Sequence, residues 1–141
     1  KELKVPLYHY KTLHAGQSVM LDDGNLIVPY VVLDGERHPI NICYCTDTQP
    51  IEELPHFARG ADLLVCEGMH GDPALREKMW EKGHMVFSDS AELAKRAQVK
   101  QLWLTHFSPA MKYPEQYLDA ARYIFNDTEV GYDGIRTTLG L

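Results

Sequence analysis

The sequence predicts an α/β fold, and three observations carry that reading. Three short apolar runs, residues 39–46 (PINICYCT), 62–66 (DLLVC) and 101–105 (QLWLT), have the length and bounds of buried strands. The segments between them carry apolar residues at helical spacing. Polar residues follow each run at once: Thr46-Asp47-Thr48, then Glu67, then His106. In open α/β sheets, ligands gather just beyond the carboxyl ends of the strands.

In chain order, residues 17–21 and 26–33 read as a hairpin whose turn is Asp22-Asp23-Gly24-Asn25, because Asp-Gly tolerates the positive φ of a tight turn. After the strand at 39–46, a helix is expected from near Pro50, with Ile51, Leu54, Phe57 and Ala58 on one face. The strand at 62–66 follows. Asp72-Pro73 reads as N-cap and first turn of a helix to about Lys82, with Leu75 and Met79 inward and Gly83 ending it. A further helix is expected over 90–98, where Asp89 and Glu92 fit a capping box. After the strand at 101–105, a last helix starts near Pro114, with Tyr117, Ala121, Ile124 and Phe125 aligned. A strand pair over 129–138 is expected to close the chain.

The 141 residues suit a single domain over residues 1–141. A hydrophobic share of 45% and a charged share of 24% are those of a soluble globular protein. No stretch approaches the roughly 20 apolar residues of a membrane span. Nothing at the start reads as a secretion signal, so a cytoplasmic protein with no membrane partner is expected. The formal charge of −6 argues against broad, nonspecific nucleic-acid binding, which needs a basic surface, but leaves room for a local patch or a separate arm. The three cysteines, Cys43, Cys45 and Cys66, all lie in apolar runs and read as small buried residues. A zinc knuckle would need a second Cys or His pair at matching spacing.

The residues that could carry chemistry are few. Asp47 at a strand exit could bind a divalent metal, or could cap the following helix. His106, fixed by Phe107-Ser108-Pro109, could be a ligand or a structural histidine. Glu67 and His84 could pair, the carboxylate holding the imidazole's tautomer so that the ring can protonate a leaving alkoxide. Each residue alone also has an ordinary structural reading.

Taken together, the blocks resemble a known family. TDT after an apolar strand, ADLLVCEGM, GHMVFSDSAELAKRA and LWLTHFSP, preceded by LHAGQSVMLDDGNLIVPYVV, resemble in order and spacing the C-terminal half of the ribonuclease Z family of the metallo-β-lactamase superfamily. The resemblance covers essentially the whole chain. It implies the second half of an αββα sandwich: one mixed sheet with helices on its outer face. It implies a zinc-dependent phosphodiesterase and endoribonuclease that matures the 3′ end of precursor tRNA. It implies that Asp47 bridges two zinc ions and His106 binds one of them. It also implies that Glu67 and His84 form the pair that protonates the departing ribose oxygen. Two metal ions would polarise the phosphodiester and offset charge in the in-line transition state.

The sequence departs from the family pattern in places. None of the seven histidines lies in an HxHxDH block, so most of the ligand set is absent. The family's HEAT block reads CEGM, its HST block reads HMV, and its SPRY block reads Ser108-Pro109-Ala110-Met111. The lost arginine leaves Ser108 and Lys112 as the candidate phosphate contacts, Lys112 as a point charge rather than a bidentate fork. The chain is therefore expected to be part of a longer protein, a metal-dependent hydrolase whose missing N-terminal half supplies the other ligands. Alone, the chain is expected to be inactive, to lack tight zinc binding, and to self-associate through its uncovered sheet face. Alternative readings are a hydrolase of another small ester or phosphodiester on the same fold, and a non-catalytic half-domain.

Overall fold

A computed structural model describes residues 5–31 and 39–139. The described backbone gathers into two compact units, one holding residues 5–31 and 39 and the other residues 40–139. Among the described residues, no helix is long and apolar enough to cross a membrane.

The first unit contains α1 (Tyr10–His14), β1 (Val19–Met20) and β2 (Leu26–Ile27). The two strands pair antiparallel, Val19 opposite Ile27 and Met20 opposite Leu26. Leu13, Val19 and Ile27 form a small core against which Val5 and Leu21 pack. The turn is the expected one. Gly24 has φ +84°, and Asp23 accepts the Asn25 N–H at 3.0 Å and its side-chain amide at 2.8 Å. Those two bonds hold the Asp23 carboxyl below its ordinary value. Residues 32 and 33 of the expected second strand lie outside the described residues.

The second unit is built on β3 (Ile42–Cys45), β4 (Leu63–Glu67), β5 (Leu102–Thr105) and β6 (Thr128–Val130). They form one sheet in the order β3-β4-β5-β6, parallel at all three junctions. The expected mixed sheet is thus corrected in one respect. Each connection between these strands carries a helix, and such crossovers return the chain parallel. The antiparallel pair belongs to the other unit.

The intervening helices are α2 (Leu54–Phe57), α3 (Arg76–Glu81), α4 (Phe87–Ala97) and α5 (Leu118–Ile124). Phe87, Ala91, Leu93, Ala94 and Ala97 of α4 and Ala121 of α5 share one core with Cys45, Leu64, Cys66, Leu102, Leu104 and Val130 of the strands. The small alanine face lets α4 lie close against the sheet. On the alternate face of edge strand β3, Ile42 and Tyr44 are exposed.

Five further expectations are corrected. The helix expected from Pro50 begins at Leu54, because Pro55 lacks an N–H and belongs in a first turn. The helix expected over 90–98 begins at Phe87. There Asp89 is not the cap but the third helical residue, accepting the Val86 N–H at 3.0 Å and the Trp80 indole N–H at 2.9 Å. The closing strand pair is a single strand, Thr128–Val130, since β6 takes its partner from β5 and the chain then turns through Gly134 at φ +88°. Cys43 is only partly buried, on a strand that has no outer neighbour in its sheet among the described residues. The hairpin strands are also shorter than expected, since β2 ends at Ile27 and the chain passes into a 3-10 turn at Pro29–Val31, whereas the bounds of α3 follow the sequence reading. Asp72 accepts the Ala74 N–H at 2.9 Å ahead of a 3-10 turn that leads into α3. Gly83 follows that helix at φ +76°.

Candidate functional site

Parallel strands deliver their carboxyl ends to one edge of the sheet, so three sequence-distant residues arrive together. Glu67 is the last residue of β4, His106 directly follows β5, and Asp47 lies two residues past β3. His84 enters from the turn after α3. That turn is tied to the loop after β4 by the Met69 N–H to Met85 C=O bond at 2.9 Å and the Phe87 N–H to His70 C=O bond at 3.0 Å.

Glu67 is fully buried. Its Oε1 accepts the Thr48 N–H at 2.6 Å. Its Oε2 accepts the Met85 N–H at 3.1 Å and meets His84 Nδ1 at 3.0 Å. With amide donors on both oxygens, the carboxylate is an acceptor throughout, so His84 Nδ1 donates and Nε2 is left free. The Ser90 hydroxyl, buried in the first turn of α4, donates to the Glu67 carbonyl. The Thr105 hydroxyl donates to the Cys66 carbonyl at 3.2 Å. Both bonds pin the end of β4.

His106 Nε2 lies 3.5 Å from Asp47 Oδ1, and the His84 and His106 rings are 5.5 Å apart. One atom each of Asp47, His84 and His106 fall within 4.8 Å of one another. The side chains become more open from His84 (19% exposed) through His106 (36%) to Asp47 (66%), so the cluster faces outward from the buried Glu67. Asp47 and His106 both have left-handed backbones, at φ 52° and 58°. Such conformations cost about 1–3 kcal/mol each in a non-glycine residue and persist only where the surroundings enforce them. Neither Asp47 nor Thr48 caps α2: the residue ahead of that helix is Glu53, and the Thr48 hydroxyl donates to the Gln49 carbonyl. The capping alternative for Asp47 therefore falls.

The donor set fits a divalent transition metal in part. Tetrahedral zinc with oxygen and nitrogen ligands about 2.0–2.2 Å away sets ligand atoms roughly 3.3 Å apart, near the observed 3.5 Å. One carboxylate with two imidazoles is chemistry shared by zinc, iron and copper sites, and fewer ligands than a two-metal centre needs.

Ser108 lies two residues past His106. Its N–H donates to the Met69 carbonyl at 2.9 Å, and its hydroxyl accepts the Ala110 N–H at 3.3 Å. Lys112 is exposed and makes no ion pair among the described residues. Sequence reasoning missed three contributors: the Thr48 and Met85 amides and the Ser90 hydroxyl. Backbone donors leave no mark in residue identity. Ser90 could have been found as the one polar residue on the small-residue face of α4 that also bears Ala91, Ala94 and Ala97.

Known proteins match this chain in sequence and in fold. Residues 9–107 match the family described as the Beta-lactamase superfamily domain, and the chain belongs to that superfamily. Within it, the chain is similar to proteins named Ribonuclease Z. It is 47% identical over 133 residues to that of Clostridium acetobutylicum, covering 94% of this chain and 43% of the relative. It is 42% identical over 130 residues to that of Clostridium kluyveri, covering 92% and 43%. The chain thus spans well under half the length of these curated relatives. Among solved structures, the short form of human tRNase Z aligns with a TM-score of 0.58 at 22% identity, over 82% of this chain and 37% of that one. The metallo-beta-lactamase fold protein YhfI from Bacillus subtilis aligns at 0.53 and 24% identity, over 62% and 35%. These two likenesses speak to fold alone, and they bear out the metallo-β-lactamase architecture expected from the sequence.

Proposed function

We propose that this chain forms the C-terminal part of a zinc-dependent endoribonuclease that matures the 3′ ends of precursor tRNA. The observation that carries the reading is the convergence of Asp47, His84 and His106 within 4.8 Å, with Glu67 buried behind His84. Asp47 and His106 would hold zinc, together with ligands from a preceding N-terminal half. Zinc bound there would supply Lewis acidity toward the phosphodiester and lower the pKa of its water. His84, its Nδ1–H held by Glu67, presents Nε2 to take up a proton and deliver it to the departing ribose oxygen. Ser108 and Lys112 lie beyond His106 on the same connection and would contact phosphate. The Ribonuclease Z relatives support tRNA as substrate, and the three free thiols suit the reducing cytoplasm.

The isolated chain lacks most ligands and would neither cleave RNA nor bind two zinc ions tightly. The exposed Ile42 and Tyr44 on β3 would drive it to self-associate when alone. The test is cleavage by the full-length protein of precursor tRNA beside a small chromogenic phosphodiester. The reading expects specific cleavage at the tRNA 3′ end. Turnover of the small diester alone would overturn it.

A further inference from the structure

The two oxygens of Glu67 serve different parts of the site. Oε2 holds His84 and the Met85 amide. Oε1 instead holds the Thr48 amide at 2.6 Å, and Thr48 directly follows Asp47. Asp47 sits at φ 52°, a conformation that needs support from outside the residue. Its own side chain does little to fix it: the nearest partners are the Thr46 hydroxyl and His106, both at 3.5 Å. The short amide bond to a fully buried carboxylate is what anchors that turn.

We propose that Glu67 is a positioning residue for both halves of the centre, setting the Asp47 turn through Oε1 and the His84 ring through Oε2, so that the metal side and the proton-donor side share one brace. This rests on the reading of Asp47 as a metal ligand. It adds that the ligand's aim depends on the residue that orients His84. Carboxylates that orient ligands from outside the coordination sphere commonly matter 10- to 100-fold for metal affinity.

Glu67→Gln is the informative near-isosteric change. Its single carbonyl oxygen can serve the Thr48 side or the Met85 side, while its NH2 confronts an N–H on the other. In the full-length protein, Glu67→Gln should selectively raise amide hydrogen exchange at Thr48 or Met85 and leave the amides of α4 protected. Both amides keeping their parental protection would overturn the proposal. Metal affinity, measured by zinc competition titration, separates the brace from the role on His84. In a His84→Ala background, Glu67→Met should weaken zinc roughly 10- to 100-fold. Unchanged affinity would overturn the brace even if activity is lost. If Glu67→Met does not fold, the exchange measurement on Glu67→Gln decides. Asp47→Ala is the control: unchanged zinc affinity there would refute Asp47 as a ligand, whereas the Thr48 exchange result still judges the brace.

Discussion

Adding one methyl group beside the buried carboxylate should disturb the whole centre, and the cost can be worked from the structure. Gly68 follows Glu67, and a Cβ built on it would lie 2.7 and 2.8 Å from two ring carbons of Phe87 and 3.5 Å from Leu104 Cδ2. Ordinary carbon contacts are about 3.5–4.0 Å, so the Phe87 ring would have to retreat by roughly 0.8 Å. Retreat is hindered, because Phe87 is 1% exposed and boxed by the Phe107 and Tyr117 rings at 5.7 and 6.3 Å. Gly68→Ala is therefore an overpacking change costing about 1–3 kcal/mol. At about 3 °C per kcal/mol for a chain of this size, it should lower the melting temperature by roughly 3–9 °C. Because Phe87 opens α4 two residues after Met85, the strain should also reach the Glu67–His84 pair. Phe87→Leu makes room, so the double variant should be more stable than the sum of the single changes by about 0.5–3 kcal/mol. Denaturant unfolding of the four proteins measures both quantities. A Gly68→Ala stability within about 0.5 kcal/mol of the parent would show that Phe87 yields freely and refute the reasoning.

Three other outcomes are expected. Ser90→Ala leaves the buried Glu67 carbonyl without its hydroxyl donor and should cost about 1–3 kcal/mol in denaturant unfolding. His84→Ala in the full-length protein should reduce kcat on precursor tRNA by about 100- to 10,000-fold, read from cleavage under saturating substrate. The Asp62 carboxyl is held below its ordinary value of 3.8, first by Lys100 at 2.6 Å and then by the Asn41 N–H at 2.8 Å. Its contribution is fully present above the unfolded value and is lost as pH falls through the lower folded value. Asp62→Asn should therefore flatten the pH dependence of unfolding below about pH 4 and leave the slope at pH 7 unchanged.

Much of the fold was legible in the linear text because its signals are local. Apolar runs ending in polar residues marked β3, β4 and β5, and Asp-Gly marked the hairpin turn. The errors came where a local signal had two physical uses. Asp89 suits an N-cap, yet only packing against Trp80 and Val86 decided that it bonds back from the third helical position. Pro50 suits a helix start, but Pro55 also needs one, and a helix this short accommodates only the latter. Within the site, Asp47, Glu67 and His106 were readable because each follows a strand. His84 was readable only through its likeness to a family block, since it follows a helix stop.

The sequence alone determined which side chains are available for chemistry and that three of them follow strands of an α/β fold. Only the tertiary structure decided that His84 comes within bonding distance of Glu67, that Glu67's second oxygen reaches the Thr48 amide, and that Asp47 and His106 take left-handed backbones. The reason is physical: strand alternation and apolar patterning are encoded residue by residue. The partner of a buried amide or carboxylate depends instead on where segments 19 and 17 residues away in the chain come to rest.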